Sequence, residues 1–162
     1  MQLLDTAAPP VERSAPGTGS LRPLSIIVIV AGAIFMVAGA VTWFGVHDQL
    51  AAEKIVVSED APFLGGNDVA GPFSAYAQSQ AINKHAREMS GGLTYAEMDR
   101  EDPVRQTVGT ASFLRASLLT SVVAFGVAVF AVGVGIVLLL IGAALLRIDR
   151  VLRTPGEFAA PG

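Results

Sequence analysis

LSIIVIVAGAIFMVAGAVTWFGV, from Leu24 to Val46, and SLLTSVVAFGVAVFAVGVGIVLLLIGAALL, from Ser117 to Leu146, hold no Asp, Glu, Lys, Arg or His. A bilayer core is about 30 Å thick, and a helix crosses it with roughly 20 apolar residues. Both stretches reach that length, so the expectation is an all-α membrane protein whose two long transmembrane helices form a hairpin. Composition agrees. Only 15% of the 162 residues are charged, against about 25% in a typical soluble domain. The first stretch also resembles a secretory signal, with Ala38-Gly39-Ala40 as a small-residue cleavage site. Yet apolar sequence runs on through Val41, Trp43 and Phe44, longer than the ~7–15 residues of a signal core. An uncleaved anchor is the better reading.

Working outward, residues 1–23 read as a disordered cytoplasmic tail, because Ala7-Ala8-Pro9-Pro10 and Ser14-Ala15-Pro16-Gly17 offer little to bury. Residues 24–46 form the first span, 47–116 an extracytoplasmic helical segment acting as a small cap, and 117–146 the second span. Residues 147–162 are a basic, then disordered, cytoplasmic tail broken by Thr154-Pro155-Gly156. Orientation rests on Arg22 before the first span and on Arg147, Arg150 and Arg153 after the second, since Lys and Arg favour the cytoplasmic side. The connecting segment has six basic and ten acidic residues, a net charge of −4. Both termini are therefore expected in the cytoplasm, at the plasma membrane.

Within the segment, Gly71-Pro72 opens a helix that Gly91-Gly92 ends, and Thr94-Tyr95-Ala96-Glu97 has the form of a capping box before a short helix. Asp102-Pro103 supplies an N-cap and a first-position proline for one continuous helix reaching about Arg153. Ile55-Val56-Val57 is β-prone without a visible partner, and Pro62 to Asp68 reads as loop. A segment with so few bulky apolar residues and no cysteine is expected to need support. Val104, Val108, Ala111, Phe113 and Leu114 offer a platform for it.

Small residues recur along both spans: Ser25, Gly32 and Gly39 in the first, and Ser121, Ala124, Ala128, Ala131, Gly135 and Gly142 in the second. Such stripes let helices approach closely in lipid. They either face each other within one hairpin or face another subunit. The missing intramembrane charge argues against a transporter or pump acting alone. His47 and His85 are the only histidines, and no H-x-E or H-E-x-x-H spacing surrounds them. Acids at Glu97, Glu101 and Asp102 suit helix starts. No cofactor or metal is expected, and the acidic balance disfavours nucleic acid.

The runs Gln49-Leu50-Ala51-Ala52-Glu53-Lys54-Ile55, Ala75-Tyr76-Ala77-Gln78, Gly91-Gly92-Leu93-Thr94-Tyr95-Ala96-Glu97-Met98-Asp99-Arg100-Glu101-Asp102-Pro103 and Ser112-Phe113-Leu114-Arg115 resemble a family of small actinobacterial two-span membrane proteins often labelled "aromatic ring-opening dioxygenase". The resemblance covers about Pro23 to Leu146. It implies a two-span membrane fold. No positions here match an iron-ligand set. The expected function is a non-enzymatic interaction or accessory subunit, whose partners are the lipid bilayer and either a second copy or another membrane subunit. The alternatives are a metal-dependent oxygenase using His85, and a ligand-binding module around Phe73, Tyr76 and Tyr95.

Overall fold

The computed structural model describes residues 21–153, so the tails expected at 1–20 and 154–162 lie outside the described residues. Three helices follow in order: α1 (Leu21–Ala52), α2 (Pro72–Met89) and α3 (Arg105–Arg153). At 1.5 Å per residue, the 32 residues of α1 span about 48 Å and the 49 of α3 about 74 Å. Both are long and apolar enough to cross a membrane. No strand is present among the described residues.

α1 starts three residues earlier than the tail reading would have it. Pro23 sits in its first turn, where the N–H groups have no intrahelical acceptor and a proline loses nothing. α1 ends as Lys54 turns into the left-handed region at φ 51°, while Glu53 and Lys54 N–H donate to Leu50 and Ala51 carbonyls. α2 opens on Gly71, with Pro72 first in the helix. Ser74 Oγ accepts the Gly71 N–H at 3.1 Å and the Ala70 N–H at 3.2 Å, satisfying donors the helix cannot. At the other end, Gly91 (φ 66°) and Gly92 (φ 93°) take the left-handed turn, and Gly92 N–H donates to Arg87 O.

α1 and α3 lie side by side and antiparallel. The Leu21 N–H, first in α1, donates to Asp149 near the end of α3 at 3.0 Å. At the other end of the contact the Trp43 and Phe125 rings meet edge-on at 4.7 Å. α2 packs on the half of α3 beyond that point through small side chains, with Ala75, Ala77, Ser79, Ala81 and Ala86 all buried. One apolar cluster joins Leu50, Val57, Val69, Ala75, Ala77, Leu118 and Phe125; a smaller one joins Ala86, Met98 and Val108. Val104 and Ala111 lie against the second cluster. Phe113 does not join the platform and is 75% exposed. It is five residues from both Val108 and Leu118, hence about 140° round the helix from the face that α2 covers.

Three local readings change. Ile55–Val57 does have a partner: Val57 N–H donates to Asn67 O and Val69 N–H to Ile55 O, each at 2.8 Å, around an antiparallel bridge of Val56 with Asp68. The loop between them closes through Leu64 (φ 58°) and Gly66 (φ 78°). Thr94–Met98 makes a single turn and not a helix. Pro103, with the restraint it puts on Asp102, cuts off any continuation. Lastly, the α-helix begins at Arg105, although Asp102 still caps it: Oδ1 accepts the Val104 N–H at 2.8 Å.

Candidate functional site

The residues singled out in the two apolar stretches come together along the α1–α3 contact. Ser25, Gly32 and Gly39 are buried on α1, and Ala128, Gly135 and Gly142 are buried on α3. A Cβ added to Gly32 would stand 2.8 Å from Gly135 O, and one on Gly135 would stand 2.7 Å from Gly32 O. One on Gly39 would meet Ala128 O at 2.7 Å, and one on Gly142 would meet Ser25 O at 3.1 Å. Opposed positions step by seven on both helices, the repeat that keeps one seam facing its partner. Ser121, Ala124 and Ala131 are only half-buried. Ser25 Oγ donates to Leu21 O at 2.8 Å within its own helix, so the buried hydroxyl is satisfied.

Away from the seam the helices are apolar and uncovered. Ile27, Ile34, Val37, Val41 and Phe44 stand out from α1, and Val123, Phe130 and Leu140 from α3. At the far end Arg22, Arg147 and Arg150 are exposed, while Arg153 lies in the last turn of α3. Arg22, Ile26, Leu146, Asp149 and Arg150 line a pocket of about 340 Å³ there. The role of Asp149 was missed from sequence. Its one signal is an acid among arginines just past an apolar run, and its target, the start of α1, becomes visible only once the helices pair.

Outside the apolar stretches, Asp60 meets both Lys84 and His85. Lys84 Nζ and His85 Nε2 both donate to Asp60 Oδ2, at 2.9 and 2.8 Å. These bonds, the one from Lys84 foremost, hold the Asp60 carboxyl down from 3.8 to about 2. The same ion pair raises Lys84. Ser58 N–H donates to Gln78 Oε1 at 2.8 Å and makes a second tie between the 53–70 loop and α2. His47 serves elsewhere: its Nδ1 lies 2.7 Å from Ala70 O, and because a carbonyl only accepts, Nδ1 carries the proton. Among the described residues no three His, Asp or Glu side chains converge as a metal would require. Lys84 also occupies the oxygen that a cation at Asp60 would want.

A consequence follows for acid stability. Asp60 is depressed in the fold, so its contribution is fully present above pH 3.8 and is lost as pH falls towards about 2. Asp60→Asn is expected to speed amide exchange at Val57 and Ser58 near neutral pH. The stability gap between wild type and this variant should close between about pH 4 and pH 2, as a pH series of melting curves would show.

The charge cluster at 97–105 is engaged in local structure. Glu97 Oε2 accepts the Thr94 N–H at 2.8 Å and the Thr94 hydroxyl at 2.7 Å, which holds the Glu97 carboxyl below its ordinary value. Arg105 lies 4.2 Å over the Tyr95 ring, a cation–π contact. Two open grooves flank α3. One of about 600 Å³ sets Gln49, Glu53, Gln78, Ser117 and Ser121 among Leu50, Ile82 and Leu118. The other, about 420 Å³, runs past His85, Met89, Gln106 and Thr110. Along them Ser121 Oγ donates to Ser117 O at 3.4 Å and Thr110 Oγ1 to Gln106 O at 3.1 Å. Comparison of the chain with protein-family models, curated proteins and solved structures finds no match in any of the three.

Proposed function

We propose that this is an integral plasma-membrane protein in which α1 and α3 form a transmembrane hairpin, both termini are cytoplasmic, and the segment around α2 forms an extracytoplasmic cap. It works as a non-enzymatic interaction or accessory subunit, with a second copy or another membrane subunit as partner. The resemblance to the actinobacterial two-span family belongs to this proposal. The observation that carries it is the contrast between a glycine seam closed backbone to backbone and large apolar side chains left uncovered all round it. In water those side chains would form an apolar surface far larger than a soluble monomer tolerates; in lipid, small residues inside and large ones outside are the favoured arrangement. The interaction role is supported by Met89, Leu93 and Tyr95, which are exposed on the part of the molecule farthest from the apolar stretches.

Purification in mild detergent tests it. A reproducible membrane partner, or a second copy, that is lost on Met89→Glu with Leu93→Glu supports the proposal. Stoichiometric iron that disappears on His85→Ala would replace it with the oxygenase reading. A ligand-binding module is a second reading, favoured by the mixed lining of the 600 Å³ groove. Retention of an amphipathic small molecule that Gln78→Leu abolishes would establish it.

A further inference from the structure

We propose that the first two turns of α2, with the loop around Phe63, lie in the membrane interface and anchor the intervening segment directly to lipid. This rests on the reading that α1 and α3 cross a bilayer. Depth is the first observation. His47, the first ionisable residue after the α1 apolar stretch, donates to Ala70 O at 2.7 Å, two residues before α2 begins. Ala75 and Ala77 share a cluster with Leu118 and Phe125, both inside the α3 apolar stretch. α2 therefore starts level with the edge of the apolar stretches and runs away from it towards Val108, where Ala86 packs.

Chemistry is the second observation. Between Asp68 and Lys84 there is no Asp, Glu, Lys, Arg or His, and the first turn of α2 carries no acid. Phe73 is 74% exposed there. One turn on, Tyr76 stacks on Phe63 with ring centroids 6.4 Å apart, both partly uncovered. Helical side chains lean towards the N-terminus of their helix, which for α2 is the end nearest the apolar stretches. Phe73 thus leans towards the hydrocarbon edge, near the last turn of the α1 stretch that carries Trp43 and Phe44. Aromatic residues with one apolar and one wet side gather at this boundary. Phe73, Tyr76 and Phe63 continue the apolar surface of the spans around the side of the molecule where α2 sits.

The chain has no cysteine, so single-cysteine variants of the full protein can each carry one nitroxide label. Phe73→Cys, Val37→Cys and Gln106→Cys are reconstituted in phosphatidylcholine–phosphatidylglycerol vesicles. Collisions with oxygen, which enters lipid, are then compared with those of a water-soluble nickel chelate. The label at position 73 is expected to be less open to nickel than that at 106 and more open than that at 37, with oxygen collisions raised above those at 106. A label at 73 as open as that at 106, with 37 shielded, would overturn the anchor and leave the spans standing. A label at 37 open to nickel would overturn the spans and the anchor with them. Phe73→Trp, combined with Trp43→Phe so that one indole reports, keeps an aromatic in place. Its emission should be quenched strongly by lipids brominated near the headgroup, and unquenched emission would overturn the anchor.

Discussion

Gly32→Leu separates α1 from α3. The added Cβ would stand 2.8 Å from Gly135 O and 3.0 Å from Leu139 N, both backbone atoms that cannot swing aside. The helices must move apart, and the seam then loses contact at Gly39 and Gly142 as well. Overpacking of a tight contact costs about 1–3 kcal/mol, occasionally more, and here the loss spreads along the crossing. In lipid there is no hydrophobic force to restore it, since packing itself drives the association. Gly126→Leu and Gly133→Leu are the matched controls, because a Cβ at either meets nothing within 4 Å. Thermal denaturation in detergent should show a markedly lower midpoint for Gly32→Leu and little change for the controls. Equal loss at all three sites would mean that glycine content, and not the seam, sets stability.

Phe125→Ala carries the second large effect. Phe125 is 1% exposed, the largest of the fully buried side chains, and it stands where the α1–α3 contact meets the cluster under α2. Deleting a buried phenyl ring costs about 3–5 kcal/mol in a water-soluble core; in lipid the transfer part of that falls away, and the cavity and the lost packing contacts between the helices remain. Trp43 loses its edge-on partner at the same time. The expected result is a large drop in the unfolding midpoint together with loss of the near-ultraviolet dichroism of Trp43, the chain's one tryptophan. Phe125→Leu should recover most of the stability by filling most of the volume. A variant with alanine at 125 that kept both signals would show that the two clusters do not depend on each other.

Those two positions were unequally visible in the sequence. The glycines stood out because a period of seven in an apolar stretch is a pattern of composition and spacing, both local properties. Phe125 is one apolar residue among thirty, and nothing local distinguishes it from Phe130, which the structure leaves exposed. Helix ends were legible for the same reason as the glycines. Gly71-Pro72, Gly91-Gly92 and Asp102 act through backbone geometry within a few residues of themselves.

Pairings across the chain were not legible. Asn67–Val69 bonds to Ile55–Val57 through main-chain groups, which carry no signature of residue type. Asp60 meets His85 only after α2 has docked. Asp149 meets Leu21 from 128 positions away in the sequence. The capping box at Thr94 was recognised as a motif, yet its helix never extends past one turn, because Asp102-Pro103 intervenes a few residues later. Local chemistry was right there about the hydrogen bond and wrong about its consequence.

The account depends on lipid covering the outer faces of α1 and α3, and extraction of membranes at alkaline pH tests that most directly. Carbonate strips proteins held by charge or by a soluble partner and leaves those whose helices pass through hydrocarbon. The protein is predicted to stay with the membrane pellet and to leave it only in detergent. Release into the carbonate supernatant would contradict the account.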